Sequence, residues 1–348
     1  MNTKKRHHLI IGLFFVFITC LFFFLHFLQD KDRDSFLQIE QHYPEIAKAL
    51  IKDVHYKIPN LEETLTIETK SKKVQIGKDM VPQGLTFSED YGFISAYSEG
   101  KKYHSVIYVL DKKTGKHLKT IVLPDTPHLG GLAYDPVGKN LWMTTETTDD
   151  GAQLSALSIK QIEEDHFEKT KKAITYQHQI ALTDLSKASF LAYYESNLVV
   201  GHFKKENEGT LVSYPLNDEG LPEQAKQNNP AEIRGADSKK EKAEIIEKLQ
   251  GVTFYQDQIL FSQSYGQTAS QLFFTKNNLE KDPTAYTEKD FTDVVEFPPY
   301  LEQIVAHDNQ LYVLFESSAL PYRHKLKTIP IDEVLVFDLT KLKKGAVR

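Results

Sequence analysis

Residues 249–266 read LQGVTFYQDQILFSQSYG, and residues 81–98 read VPQGLTFSEDYGFISAYS. Both set a Gln-Gly pair ahead of a short apolar strand, a polar turn, and a second strand ending in Ser and Tyr. A unit written twice, so far apart, points to a repeat architecture, and a repeat decides the fold before any single motif does.

Aligned on the residue before the first glycine, five copies emerge: QGLTF at Gln83, GGLAY at Gly130, SFLAY at Ser189, QGVTF at Gln250 and EQIVA at Glu302. Second strands follow at FISAY (Phe93), LWMTT (Leu141), VVGHF (Val199), LFSQS (Leu260) and YVLFE (Tyr312). Third strands are expected at Ser105, Gln153, Thr210, Ser270 and Glu333. Fourth strands are expected at HLKTIVLP (His117), AITYQHQIAL (Ala173) and FTDVVEFP (Phe291), with a weak one near AEIR (Ala231). Four antiparallel strands repeated around a ring make a β-propeller. Within the first strand, Leu85 and Phe87 share one face while Gly84 and Thr86 share the other. Large residues can then nest against small ones of the next blade, as a sheet buried on both faces requires.

The expected fold is therefore all-β, a propeller of five blades with six as the alternative. Anchor spacings of 47, 59, 61 and 52 residues are long, and the excess sits in insertions such as 216–249, where SKKEKAEIIEKL (238–249) reads as a helix. The last repeat ends near Leu339 without a fourth strand. TLTIETKSKKVQI, from Thr64, alternates like a strand and is expected to close the ring, removing the open edge.

Ahead of the repeats, LIIGLFFVFITCLFFFLHFL (9–28) carries no formal charge and is long enough to cross a bilayer as a helix. Lys4, Lys5 and Arg6 precede it and Asp30, Asp32 and Asp34 follow, so the positive-inside rule keeps the N-terminus in the cytoplasm and the rest outside. A cleaved signal peptide is the rival reading, but no small-x-small cleavage site follows the apolar run. The only cysteine, Cys20, lies within this span, so the exported part has no disulfide. The expected order is a basic cytoplasmic tail (1–8), a signal anchor (9–28), a juxtamembrane helical stalk (29–61), the propeller (62–340) and a basic C-terminal tail (341–348). This places the chain at a bacterial cell membrane, single-pass, with its propeller extracellular. The net charge of −6 implies no basic face and argues against a nucleic-acid partner.

The motifs VPQGLTF, LGGLAYD, LQGVTF, FSQSYG and LFESSALPYR resemble extracytoplasmic bacterial propellers of the gluconolactonase-like and YVTN/quinoprotein-like repeat group, including poorly characterised membrane-anchored members. The resemblance covers about Thr64 to Leu339 and implies the propeller fold. For the lactonases it also implies a divalent metal held in the channel by carboxylate and amide side chains. The equivalent column here is Gln83, Gly130, Ser189, Gln250 and Glu302, which offers one carboxylate where a hard cation takes several oxygens. No cofactor is expected. Calcium at the acidic loop TTETTDD (144–150) is the alternative, weighed against a solvated turn.

Propeller ligands bind where first strands begin and loops converge. The ligand-binding candidates there are Gln83, His128, Gln250 and Glu302, as a polar ring for a small ligand or a glycan, weighed against hydrogen bonds between blades. A second column adds Tyr97, Ser264 with Tyr265, and Glu316. Arg323 is expected either to pair with Glu316 or to present its fork to an anionic group. Tyr97, Tyr265 and Tyr322 would form an aromatic rim. No nucleophile elbow, zinc-protease motif or phosphate loop occurs. If the protein is an enzyme, Glu302, Glu316 and His128 are the catalytic candidates, and the separation of the two carboxyls decides the mechanism. The leading expectation is a binding or scaffolding module for a cell-envelope glycan or a partner protein. A glycan- or lactone-acting hydrolase or lyase is the alternative.

Overall fold

A computed structural model describes residues 35–59, 61–222, 226–227, 233–236, 242–279 and 285–342. The segment 9–28, expected to cross the membrane, lies outside the described residues. Among the described residues no helix is long and apolar enough to cross a membrane.

Five antiparallel four-stranded units form the chain's five blades. Blade 1 runs Met80–Phe87, Tyr91–Ser98, Val106–Asp111 and His117–Val122; blade 2 runs Leu132–Asp135, Asn140–Glu146, Ala152–Ser158 and His178–Leu182. Blade 3 comprises Phe190–Tyr194, Asn197–His202, Gly209–Pro215 and Lys242–Ile245, and blade 4 Leu249–Tyr255, Gln258–Gln263, Ser270–Lys276 and Phe291–Phe297. Blade 5 comprises Leu301–His307, Gln310–Phe315 and Glu333–Asp338, and takes its outer strand from Leu50–Lys57. The five innermost strands touch one another in sequence order, and the fifth touches the first, so the ring closes. The six-bladed alternative is thereby set aside.

The closing strand comes from the N-terminal side, as expected, but from a different segment. Leu50 pairs with Phe337, Ile51 with Val336 and Lys57 with Glu333. Thr64–Ile67 instead pairs with Val74–Gly77 as a separate hairpin, fixed to blade 1 by Thr64 Oγ1 against the Tyr108 hydroxyl at 2.6 Å. Residues 50–57 lie within the expected helical stalk, and Ile46, Leu50 and Ile51 do fit a helical period. Helix does form at Ser35–His42 and Pro44–Ala47, yet Ile39, Ile46 and Ala49 are buried beside Phe297, Phe337 and Leu339. This segment belongs to the propeller, which therefore begins ahead of residue 62.

Two further expectations change. Lys242–Ile245, within the segment expected to be helical, is the outer strand of blade 3. Its period of two, Ala243 and Ile245 buried with Glu244 exposed, outweighs the helix propensity of its lysines and glutamates. Ile233–Ala236, the expected fourth strand of that repeat, pairs in parallel with His178–Leu182 and extends blade 2.

Burial of both faces of every blade produces the core. Fully buried Phe93, Trp142, Phe190, Phe261 and Phe337 fill the sheets and seams, each burial favourable by ~1.5–3 kcal/mol. The glycines of the repeat let the innermost strands approach at the axis. A Cβ on Gly131 would lie 2.4 Å from the Leu191 amide nitrogen.

Candidate functional site

The innermost strands of blades 1, 4 and 5 each carry one extra residue near their start. The register slips between Pro82 and Leu85, between Leu249 and Gly251, and between Leu301 and Ile304. A bulge re-aims a side chain and interrupts pairing. Gln83, Gln250 and the Glu302-Gln303 pair occupy these bulges.

Gln303 was absent from the sequence-based candidates, yet it holds the axis. It is 1% exposed. Its Oε1 accepts from the backbone amides of Leu85 at 2.9 Å and Leu132 at 2.8 Å. Its Nε2 donates to the carbonyls of Leu132 at 2.6 Å and Leu191 at 3.0 Å. All four hydrogen-bonding positions of one carboxamide are thus used to tie blade 5 to blades 1, 2 and 3. The amide closes the channel between the mouth where the innermost strands begin, here the upper mouth, and the mouth where they end.

Above this plug lie the two acids. Glu302 is 2% exposed. Burial, then the neighbouring Glu316 carboxyl, raises its pKa well above the ordinary range. Glu316 is likewise raised, chiefly by burial, although Gln83 donates from Nε2 to its Oε2 at 2.9 Å and opposes the shift. The two carboxyls are neighbours, and each acts on the titration of the other. Two buried acids in contact cannot both ionise, so the pair retains a proton where an isolated glutamate would have lost it.

Tyr97 sits beside this pair and packs on His128, with ring centroids 4.2 Å apart. The Tyr97 hydroxyl donates to Glu99 Oε2 at 2.8 Å. Burial, and secondarily Lys101, pushes the His128 pKa down to about 4, so the imidazole is neutral at neutral pH. Tyr322 stacks on Tyr300 with centroids 4.9 Å apart, and Lys325 Nζ lies 4.7 Å above the Tyr322 ring.

The structure therefore gathers Gln83, Tyr97, His128, Glu302 and Glu316 at one mouth. The other candidates lie apart. Arg323 forms an ion pair with Glu62 instead of Glu316. Ser264 is buried and accepts from the Ser270 hydroxyl at 3.0 Å, while Tyr265 is exposed under Lys205 Nζ. Tyr265 does not join Tyr97 and Tyr322 in a rim: its ring neighbours Phe203, centroids 6.4 Å apart. Gln250 is half-buried at its bulge.

Among the described residues no three His, Cys, Asp or Glu side chains are grouped to hold a metal ion. In the acidic loop, Thr147 bonds Asp149 and Asp150 pairs with Lys187, so these carboxylates have partners within the protein.

No family model and no curated protein sequence matches this chain. Among solved structures it is similar to a chain of a nidogen/laminin complex, with a TM-score of 0.42 and 14% identity over 85% of this chain and 89% of that one. It is also similar to a chain of a mitotic checkpoint complex, with a TM-score of 0.39 and 8% identity over 84% and 92%. BamB from Moraxella catarrhalis gives 0.29 and 12% over 74% of this chain and 57% of that one. Likenesses this weak carry no functional argument. The propeller rests on its own strand pairing.

Proposed function

We propose that this chain is a binding or scaffolding propeller without chemistry of its own, held at the outer face of a bacterial membrane by residues 9–28. Its ligand is a cell-envelope component or a partner protein. The observation that carries this reading is the contact between Glu302 and Glu316. Glycosidase carboxyls stand ~5 Å or more apart, leaving room for the bond they cleave. Here the two acids are close enough to share a proton, and Gln83 donates to Glu316 as well. Membership of the gluconolactonase-like group, implied by the repeat motifs, would require a channel metal. The sequence supplies a single carboxylate in the relevant column.

One observation favours the hydrolase alternative. A carboxyl kept protonated by burial, beside Tyr97, has the protonation state a general acid needs.

The placement outside the membrane is tested by cysteine labelling in intact cells. Gly100 has open space around it, with nothing within 4 Å of an added Cβ. In a Cys20→Ser background, Gly100→Cys should react with a membrane-impermeant maleimide without lysis. Reaction only after lysis contradicts the outward placement. In vivo cross-linking from the same cysteine, resolved by mass spectrometry, should then give a discrete adduct with an envelope component. Labelling without any such adduct contradicts the binding reading.

A further inference from the structure

The mouth opposite the buried acids is open and differently built. Below the Gln303 plug lies a cavity of about 380 Å3, lined by the ends of the innermost strands of all five blades. That volume falls within the range of ~300–1,000 Å3 typical of small-molecule sites. Gln303 forms its ceiling and has no hydrogen-bonding capacity left for a guest. Recognition must come from the walls.

Those walls are aromatic. Phe87, Tyr134, Tyr194 and Phe254 all line the cavity. Tyr194 and Phe254 are stacked, centroids 4.0 Å apart and 15° from parallel, so this wall is formed before any guest arrives. Phe87 is braced from behind by Tyr312 at 4.7 Å and Tyr56 at 5.3 Å. The repeat accounts for most of this collar: the fifth motif position is Phe87, Tyr134, Tyr193 and Phe254 in four blades and Ala306 in the last, while the stacked Tyr194 is the residue just after the motif in blade 3.

Polar groups are set between the rings. The Thr253 hydroxyl oxygen accepts from the Ala306 amide at 2.8 Å, which leaves its own proton to donate. Glu89 accepts from the Tyr134 hydroxyl through Oε2 at 2.6 Å, and a carboxylate has further lone pairs with which to accept. Lys112 gives one proton to the Ser88 carbonyl at 2.8 Å and keeps two more. An apolar guest would leave these groups without partners, at a cost. A simple ion would meet both signs of charge. A neutral ring bearing several hydroxyls satisfies donors and acceptors together while resting its C–H face on an aromatic wall.

We propose that this lower cavity is a binding site for a single sugar ring. The proposal deepens the binding-module reading and rests on it, but moves the ligand to the mouth away from Glu302 and Glu316. Titration calorimetry of the full chain in detergent, with N-acetylglucosamine, glucose and p-cresol as probes, tests it. At least one sugar should bind, and more tightly than p-cresol. Glu89→Gln and Lys112→Met should each weaken that binding by about tenfold or more, as expected for loss of a charge-assisted hydrogen bond. Glu302→Gln, at the other mouth, should leave it unchanged. No heat from either sugar, tighter binding of p-cresol, or binding abolished by Glu302→Gln but untouched by Glu89→Gln overturns the proposal. Mass spectrometry of the sugar after incubation addresses the underlying reading separately, since a chemically altered sugar would contradict a non-catalytic module and leave the location of the site standing.

Discussion

Gln303 and Leu132 bond each other twice, the side-chain oxygen accepting from the Leu132 amide at 2.8 Å and the side-chain nitrogen donating to its carbonyl at 2.6 Å. The pair joins blade 5 to blade 2 across the axis, and the same carboxamide reaches Leu85 and Leu191. Replacing Gln303 with leucine keeps the volume but leaves buried backbone groups of three blades without partners. Each such group costs ~1–3 kcal/mol. Urea unfolding, followed through the single tryptophan Trp142, which is fully buried, should show a loss of several kcal/mol on the order of 3 or more. A midpoint equal to wild type would refute the plug.

The acid pair makes stability depend on pH in a direction opposite to that of a salt-bridged carboxylate. Glu302 and Glu316 are both raised above 4.5, Glu316 to about 8, so the folded chain holds protons that the unfolded chain has released. Their contribution is complete below the unfolded value and is lost as pH rises through the folded one. The melting temperature should therefore fall between about pH 5 and about pH 8. Glu302→Gln keeps the shape and removes one titrating group, and should flatten this decline and raise the melting temperature at the alkaline end. Glu99, Lys325 and Gln83 also act on Glu316 and remain in the variant. A decline as steep in Glu302→Gln as in wild type would exclude the pair as its source.

Much of this architecture was legible in the sequence. The Gln-Gly-aliphatic-Thr-Phe unit located every innermost strand, because two-sided burial imposes the same large and small alternation on each blade. What escaped was set by distance along the chain. Leu50–Lys57 closes blade 5 from nearly 280 positions before its partner strand, Glu333–Asp338, and its local pattern fits helix and strand alike. Gln303 was also readable in principle: it stands at the motif position where Gly84, Gly131 and Gly251 make room at the axis. It is the one polar side chain at a position held by glycine in three copies and by Phe190 in the other, which marks it as the group that fills the space the glycines leave. The partner of Arg323 was not readable, since Glu62 lies in a segment outside the repeat.

The closing strand gives a truncation test. Removing residues 1–34 leaves the described propeller whole. Removing residues 1–60 exposes the edge of Glu333–Asp338, where Val334 and Val336 are now covered. A bare apolar edge pairs with other chains. Light scattering after size-exclusion chromatography should find a monomeric peak for the first truncation and aggregates for the second. Equal behaviour would mean that Leu50–Lys57 does not close the ring.

Gly131 tests the close approach of innermost strands. An alanine there meets the Leu191 backbone at 2.4 Å, which forces the strands apart at a cost of ~1–3 kcal/mol. Gly100→Ala, in open space, should be near neutral. Thermal melts of the two variants should separate clearly, and coincident melts would contradict the packing at the axis.

The central claim, that the acids of the upper mouth are locked into the fold and perform no turnover, has a direct test. The purified chain is incubated with gluconolactone and with N-acetylglucosamine oligomers, and products are followed by mass spectrometry for wild type and for the Glu302→Gln, Glu316→Gln double variant. The account predicts that neither protein forms product faster than a protein-free control, in which the lactone already opens in water. Product formed by wild type and abolished in a folded double variant would contradict it.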